Sequence, residues 1–140
     1  MQDLKNKIYQ KLQMPQLVSF ATMTKEGKPW VRYVMAWATP DLDIMLSTSL
    51  SSRKVEQVKA NPDVHFTAGA MNMEDVESYL QIEGKAEVSQ DAELLQRVWN
   101  DNLKRYFTGP DDPNFCIVIT KPTRIEWYSM TEMTPLVWEA

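Results

Sequence analysis

The segment Ser47-Thr48-Ser49-Leu50-Ser51-Ser52-Arg53-Lys54 sets a run of hydroxyl side chains directly ahead of two cations, where a strand pattern ends and a helical one begins. The first turn of a helix presents free N–H groups and the positive end of the aligned peptide dipoles, so acidic residues are favoured there. Arg53 and Lys54 carry the opposite sign. A phosphate seated on the helix start resolves the conflict: it takes hydrogen bonds from backbone amides and from Thr48 and Ser52, while Arg53 or Lys54 supplies the countercharge. The same residues admit a plainer arrangement, with Ser51 or Ser52 as an ordinary N-cap and both cations in water. Arg32 is the second candidate. Strand alternation puts it on the face of Trp30, Val34 and Ala36, and a charge on a largely apolar face either pairs with a carboxylate or meets an anionic ligand. An edge-strand arginine in solvent is the alternative.

The elements that must position these groups follow from periodicity. Leu4, Ile8 and Leu12 recur at helical spacing, with Lys5, Lys7 and Lys11 off the stripe, predicting an N-terminal helix that ends before Pro15. Leu17–Thr22 and Trp30–Trp37 read as strands joined by the Lys25-Glu26-Gly27-Lys28 turn, and Asp43–Thr48 as a third strand after Thr39-Pro40-Asp41. Ser51–Ala60 is helical, with Val55 and Val58 on one side and Glu56, Gln57 and Lys59 on the other, stopping at Asn61-Pro62. Val64–Ala68 resumes strand. In the longest alternation Leu80, Ile82, Gly84, Ala86 and Val88 share one face, and Gly84 in its middle predicts a bend or bulge. Ser89–Phe107 reads as one helix ended by Gly109-Pro110, then Phe115–Thr120 as a strand, Pro122 as a break, Arg124–Tyr128 as a further extended piece, and the rest as a tail. About six locally connected strands with interspersed helices predict a compact antiparallel barrel, since closure removes exposed edges.

Other conspicuous residues receive structural readings. His65 is the only histidine, so a metal site would need carboxylate or intersubunit ligands. Asp41, Asp43, Asp111 and Asp112 sit in turn-like sequence, where carboxylates cap or bend the chain. Cys116 reads as an inert buried thiol in an apolar strand. Of the five tryptophans, Trp37, Trp127 and Trp138 can line an interface or a cleft for a flat ligand, Trp127 most directly.

The 140 residues predict a single domain, residues 1–140, and 15 basic against 19 acidic side chains give a net charge of −4. That sign removes the long-range attraction nucleic acid or an anionic bilayer would exert. One cysteine excludes a disulfide framework within the chain and fits a reducing cytoplasm. No apolar run approaches the roughly 18 residues of a membrane span, and the charged N-terminus has no signal-peptide core, so a soluble, unprocessed cytoplasmic protein is expected.

Gly27-Lys28-Pro29 followed by Arg32, then a strand ending in Thr48, Ser52-Arg53-Lys54-Val55 and Asn61-Pro62-Asp63-Val64, with Ile82-Glu83-Gly84-Lys85-Ala86 and Pro122-Thr123-Arg124-Ile125-Glu126-Trp127 further on, resembles the pyridoxamine 5′-phosphate oxidase-like family of FMN-binding split barrels. The general-stress-protein branch of that family is the best match. The likeness runs from about Leu17 to Tyr128, and it is carried by the order and spacing of the pieces. It implies a mainly β, six-stranded antiparallel split β-barrel with flanking helices, a homodimer, and FMN in a cleft between subunits.

By motif position, Arg32, Tyr33, Val34 and Met35 would run beside the flavin, Ser47 and Thr48 would lie near its ribityl-phosphate arm, and Ser52, Arg53 and Lys54 would hold the phosphate. Two departures separate the chain from oxidases acting on pyridoxamine phosphate. The final residues, Met133 to Ala140, lack the arginine–histidine–arginine cluster those enzymes use to grip substrate, and Tyr79 stands where they place a flavin-contacting glutamine. The resemblance therefore implies the cofactor and not that reaction. The expectation is an FMN-dependent oxidoreductase taking a small-molecule substrate or NAD(P)H. A non-catalytic flavin-binding or redox-sensing protein, or the same barrel holding haem or F420, is the alternative.

Overall fold

The computed structural model describes residues 2–70, 72 and 77–140. The chain opens with helix α1 (Gln2–Leu12), whose Leu4, Ile8 and Leu12 are buried. It is followed by the hairpin β1 (Gln16–Met23) and β2 (Pro29–Ala38) and by β3 (Ile44–Ser49). Gly27 makes the hairpin turn at φ 77°, its N–H donating to the Thr24 carbonyl at 2.9 Å; the absence of a Cβ makes that backbone region accessible. Helix α2 (Arg53–Ala60), strands β4 (Asp63–Ala68) and β5 (Ser78–Ser89), helix α3 (Ala92–Val98), β6 (Phe115–Ser129) and β7 (Leu136–Glu139) complete the order.

The strands form one antiparallel sheet in the order β3-β2-β1-β4-β5-β6-β7, and β3 also pairs with β6, closing β1 to β6 into a six-stranded barrel. The expected antiparallel barrel with flanking helices is therefore what the chain adopts. Its interior is filled by the alternate residues of each strand: Val18 and Phe20, Ala36, Ile44 and Leu46, Val64 and Phe66, Leu80 and Ile82, Val118 and Ile125, joined by Val55 and Val58 of α2 and the apolar stripe of α1. Phe20 and Phe66 stack at 4.5 Å near the centre. A second cluster lies outside the barrel wall, where Met45, Phe115 and Ile117 meet Leu95 of α3 and Phe107.

Three expectations are corrected. Pro122 does not split the last strand, because β6 runs unbroken for 15 residues. The register of β5 against β6 shifts at Glu83/Gly84, where Gly84 faces Pro122 and Glu83 faces Arg124, leaving Thr123 as the extra residue. A bulge is where the ladder tolerates a residue with no N–H to donate. A Cβ on Gly84 would stand 2.7 Å from the Lys121 carbonyl oxygen and from Thr120 Cγ2, so only glycine fits. The helix expected over 89–107 stops at Val98 and resumes as a short 3-10 turn, Asp101–Arg105. Asn100 causes the break, its side chain accepting from the Asn102 N–H in place of a helical carbonyl. The tail is not loose: β7 pairs with the second half of β6, and Arg124 joins Glu126 and Glu139 at 2.8 and 2.9 Å.

Candidate functional site

The barrel is incomplete on one side. Among the described residues β2 pairs with β3 only at Trp37–Met45 and Ala38–Ile44, although β3 pairs with β6 along its whole length and β2 pairs with β1 from Pro29 to Ala36. Over Trp30–Met35, then, no strand flanks β2 on its β3 side. Peptide groups of a strand alternate between its two edges, so backbone donors and acceptors there face an opening. Helix α2 bridges that opening, since its Lys54 Nζ reaches back to Thr48 Oγ1 on β3 at 3.0 Å and its Gln57 takes hold of Arg32 on β2.

Arg32 lies on the inward face of β2, where alternation predicts it. Its guanidinium donates to the Phe20 carbonyl at 3.2 Å, to Thr22 Oγ1 at 2.8 Å and to Gln57 Oε1 at 3.1 Å, and sits 5.7 Å from the centre of the Phe20 ring. Every acceptor is neutral. Among the described residues Lys54 likewise has only the Thr48 hydroxyl, and Arg53 lies over the Trp30 ring at 5.8 Å. Among the described residues none of the three cations makes an ion pair; Glu56, the acid in the first turn of α2, is directed to Lys25 at 3.3 Å.

Burial, and then the nearby Arg53, push the Arg32 pKa down; burial, and then Arg32, do the same to Lys54. Both shifts mean that positive charge is held against its own preference. Ser52 occupies the N-cap position of α2, yet its side chain caps no backbone N–H and instead lies 3.4 Å from Thr48 Oγ1. The helix start thus lacks the side-chain acceptor an ordinary N-cap supplies. Neighbouring cations, the first helix amides and two hydroxyls form a donor set that can accept an anion. Behind it, burial raises the Cys116 thiol to about 11, so the thiol stays protonated and inert near neutral pH.

The structure brings together Arg32, Thr48, Ser52, Arg53 and Lys54. Val34 packs against the barrel core, while Tyr33 and Met35 project outward from the same strand, 75% and 54% exposed. Alternation places Ser47 on the opposite face of β3 from Thr48. Trp127 stands apart from the cluster, half-buried against the core under Lys11 Nζ at 5.4 Å from its ring. Two members escaped the sequence reading, Thr22 and Gln57, which hydrogen-bond each other as well as Arg32. Gln57, expected on the solvent side of α2, is a correction: the next turn of helix returns it to the side of Lys54, and the buried charge of Arg32 gives its amide a partner. Thr22 had left a trace, a hydroxyl in an inward alternation of Val18 and Phe20.

His65, on the outer face of β4, is opposite Ala21 and Glu83. Among the described residues no group of three His, Cys, Asp or Glu side chains can hold a metal ion, and no helix is long and apolar enough to cross a membrane.

Residues 4–128 match the family model for pyridoxamine 5′-phosphate oxidase. The chain is similar to General stress protein 26 of Bacillus subtilis (strain 168), 36% identical over 138 residues that cover 99% of this chain and 97% of that one. The fold matches the crystal structure of General Stress Protein 26 from Bacillus anthracis str. Sterne with a TM-score of 0.82 and 26% identity, covering 98% of each chain. More remotely, at 14% identity and a TM-score of 0.67, it matches an FMN-binding protein from Nostoc punctiforme PCC 73102, over 87% of this chain and 79% of that one. It also matches the fold of an F420 reductase (TM-score 0.65, 21% identity, 83% of this chain and 93% of that one) and part of a haem-binding protein from Mycobacterium smegmatis (TM-score 0.72, 16% identity, 96% of this chain and 56% of that one).

Proposed function

The chain belongs to the pyridoxamine 5′-phosphate oxidase family, and on that premise we propose that it is an FMN-binding flavoprotein, a cytoplasmic oxidoreductase of a small molecule working as a homodimer. The observation that carries the proposal is the group of three cations that, among the described residues, have no carboxylate partner, at an uncapped helix start beside the split between β2 and β3. A phosphate monoester satisfies that donor set, so the residues present fit the cofactor. Lys54 and Arg53 would supply charge to the phosphate. So would Arg32, which the resemblance sets beside the flavin but which lies near enough to both cations that, beyond the effect of burial, Arg53 lowers its pKa and it lowers that of Lys54. Thr48, Ser52 and the first amides of α2 would supply hydrogen bonds. Tyr33, Val34 and Met35 would provide the strand beside a flat ring, and Ser47 would lie near the ribityl arm. Trp127, which stands apart from these residues within one chain, would contact the ring or its reaction partner only from a neighbouring subunit.

Bound there, the isoalloxazine ring would supply hydride and electron transfer. This chain's residues would bind and orient it and exclude water; among the described residues no side chain in the site is placed to move a proton. The homodimer is supported by the outer face of the barrel, where Leu17, Val31, Tyr33 and Met35 are exposed together on neighbouring strands, since contiguous exposed apolar area marks an interaction surface. Beside them lies a cavity of about 540 Å3 lined by Leu17, Ser19, Tyr33, Thr67 and Tyr79, which a second copy would close over the flavin and its reaction partner.

The test is the visible spectrum of the purified protein and chromatography of whatever it releases on denaturation. FMN stoichiometric with the chain, reduced by NAD(P)H under anaerobic conditions, is the expected result. A Soret band, a deazaflavin chromophore, or a colourless protein that ignores added FMN overturns the cofactor. Bound FMN that no nicotinamide reduces leaves a binding or sensing protein instead of an oxidoreductase.

A further inference from the structure

We propose that Gln57 and Thr22 are positioning residues which hold the Arg32 guanidinium in place without cancelling its charge, so that the site selects its ligand by the phosphate group. The proposal rests on the reading of this site as a flavin phosphate site and adds the device that keeps it charged.

The hydrogen bonds form a closed ring. One terminal nitrogen of Arg32 donates to Thr22 Oγ1 at 2.8 Å and the other to Gln57 Oε1 at 3.1 Å. The Thr22 hydroxyl, already accepting from Arg32, donates in turn to Gln57 Oε1. An arginine has donors only, so the amide must present its oxygen to the ring. Thr22 is 1% exposed, and a buried hydroxyl is costly to leave unpaired. The ring therefore fixes all three side chains together. Its acceptors are an amide, a hydroxyl and the Phe20 carbonyl, none of them charged, and a guanidinium offers five donors, so some remain for a ligand.

A purely structural role would be served better by a carboxylate. Glutamate has the shape of glutamine and forms a two-pronged pair with arginine. Such a pair would secure Arg32 more firmly and remove the positive charge the phosphate needs. The neutral amide at position 57 is the choice that favours the ligand over the fold.

The experiment compares wild type, Gln57→Glu and Thr22→Val in titrations with FMN, with riboflavin, which lacks the phosphate, and with inorganic pyrophosphate, alongside the melting temperature of each ligand-free protein. Gln57→Glu is expected to melt no lower than wild type, to lose FMN affinity by about 100-fold and to bind riboflavin unchanged; Thr22→Val loses about tenfold for FMN, again sparing riboflavin. Equal losses for FMN and riboflavin, or wild-type FMN affinity in both variants, overturn the clamp and leave the flavin reading intact. If wild type binds pyrophosphate but no flavin, and Gln57→Glu loses the pyrophosphate, the clamp stands and the flavin reading falls. A wild-type protein that binds none of the three ligands overturns both. If Gln57→Glu does not fold, the clamp is judged on Thr22→Val by the same ratio of FMN to riboflavin affinity.

Discussion

Replacing Lys54 with methionine is expected to weaken FMN binding and, at the same time, to stabilise the protein without ligand. The substitution keeps the unbranched stem and removes only the charge. In the ligand-free protein that charge is disfavoured, because burial and then Arg32 lower the Lys54 pKa. Between the lowered value and the ordinary 10.5 the folded protein binds fewer protons than the unfolded chain, so stability rises with pH across that window, and the penalty is present in full below it. At neutral pH the variant escapes this penalty. It forfeits the 3.0 Å hydrogen bond to Thr48 Oγ1, but Ser52 Oγ is already 3.4 Å from that atom and can replace it.

With the phosphate present the balance reverses. One charge-assisted hydrogen bond is lost, worth about 1.5–3 kcal/mol or roughly 10- to 100-fold in affinity. Arg53→Ala falls at the low end of that range, because Arg53 is exposed and solvent screens its contribution. The assay is fluorescence titration with FMN and riboflavin at low and high salt, with thermal melts of the ligand-free proteins. A lower ligand-free melting temperature together with unchanged FMN affinity would show that Lys54 supports the fold and not the ligand. A parallel loss of riboflavin affinity would move its contact from the phosphate to the ring.

Three further outcomes follow from the fold. Tyr33→Glu and Met35→Lys put charge into the exposed apolar face of β2 and should weaken self-association at least tenfold, since each buried side chain of this size contributes about 1.5–3 kcal/mol; unchanged sedimentation behaviour would remove this face from the dimer. Gly84→Ala forces a Cβ against the Lys121 carbonyl at 2.7 Å and should cost about 1–3 kcal/mol, read from the urea midpoint; wild-type stability would mean the bulge relaxes freely. Burial lowers the His65 pKa from 6.5, opposed by Glu83 and Glu126, so the folded state binds fewer protons than the unfolded one just below 6.5 and the protein loses stability as pH falls through that window. Melts of wild type and His65→Gln from mildly acid to neutral pH should differ in slope, and identical slopes would contradict the shift.

Most strands were legible because their two faces meet different surroundings. The alternation of Leu80, Ile82, Gly84 and Ala86 shows directly in burial. Proline misled at Pro122 because its meaning depends on the partner strand: in isolation it ends a strand, and opposite Gly84 it occupies a bulge. Strand β7 went unread because four residues, Leu136–Glu139, are too short for a period and are fixed only by pairing with β6. The break at Asn100 was visible in type, since asparagine prefers a cap to a helix interior, but the apolar spacing from Leu94 to Tyr106 overrode it. For the site, the wrong charge at the start of α2 marked Arg53 and Lys54, and Arg32 was marked by its apolar face. Gln57 could not be seen this way, because a glutamine on a helix reads as solvent-facing until the strand across from it is known.

The same feature explains why the site lies where it does. A fully closed barrel would pair β2 with β3 along their length and satisfy every peptide group, at the cost of any place for a ligand to reach the backbone. Here β3 holds β6 along one edge for its whole length, while along its other edge it meets β2 only at Trp37 and Ala38. Charge gathers at that gap without a counterion among the described residues, and Arg32 and Lys54 are both held below their ordinary pKa. On the proposed function, the crowded positive charge is unfavourable in the empty protein, and an anionic ligand would relieve it. Ligand at about 100 times its dissociation constant adds about 2.7 kcal/mol to the native state, so the weakness of the empty site returns as part of the stability of the filled one.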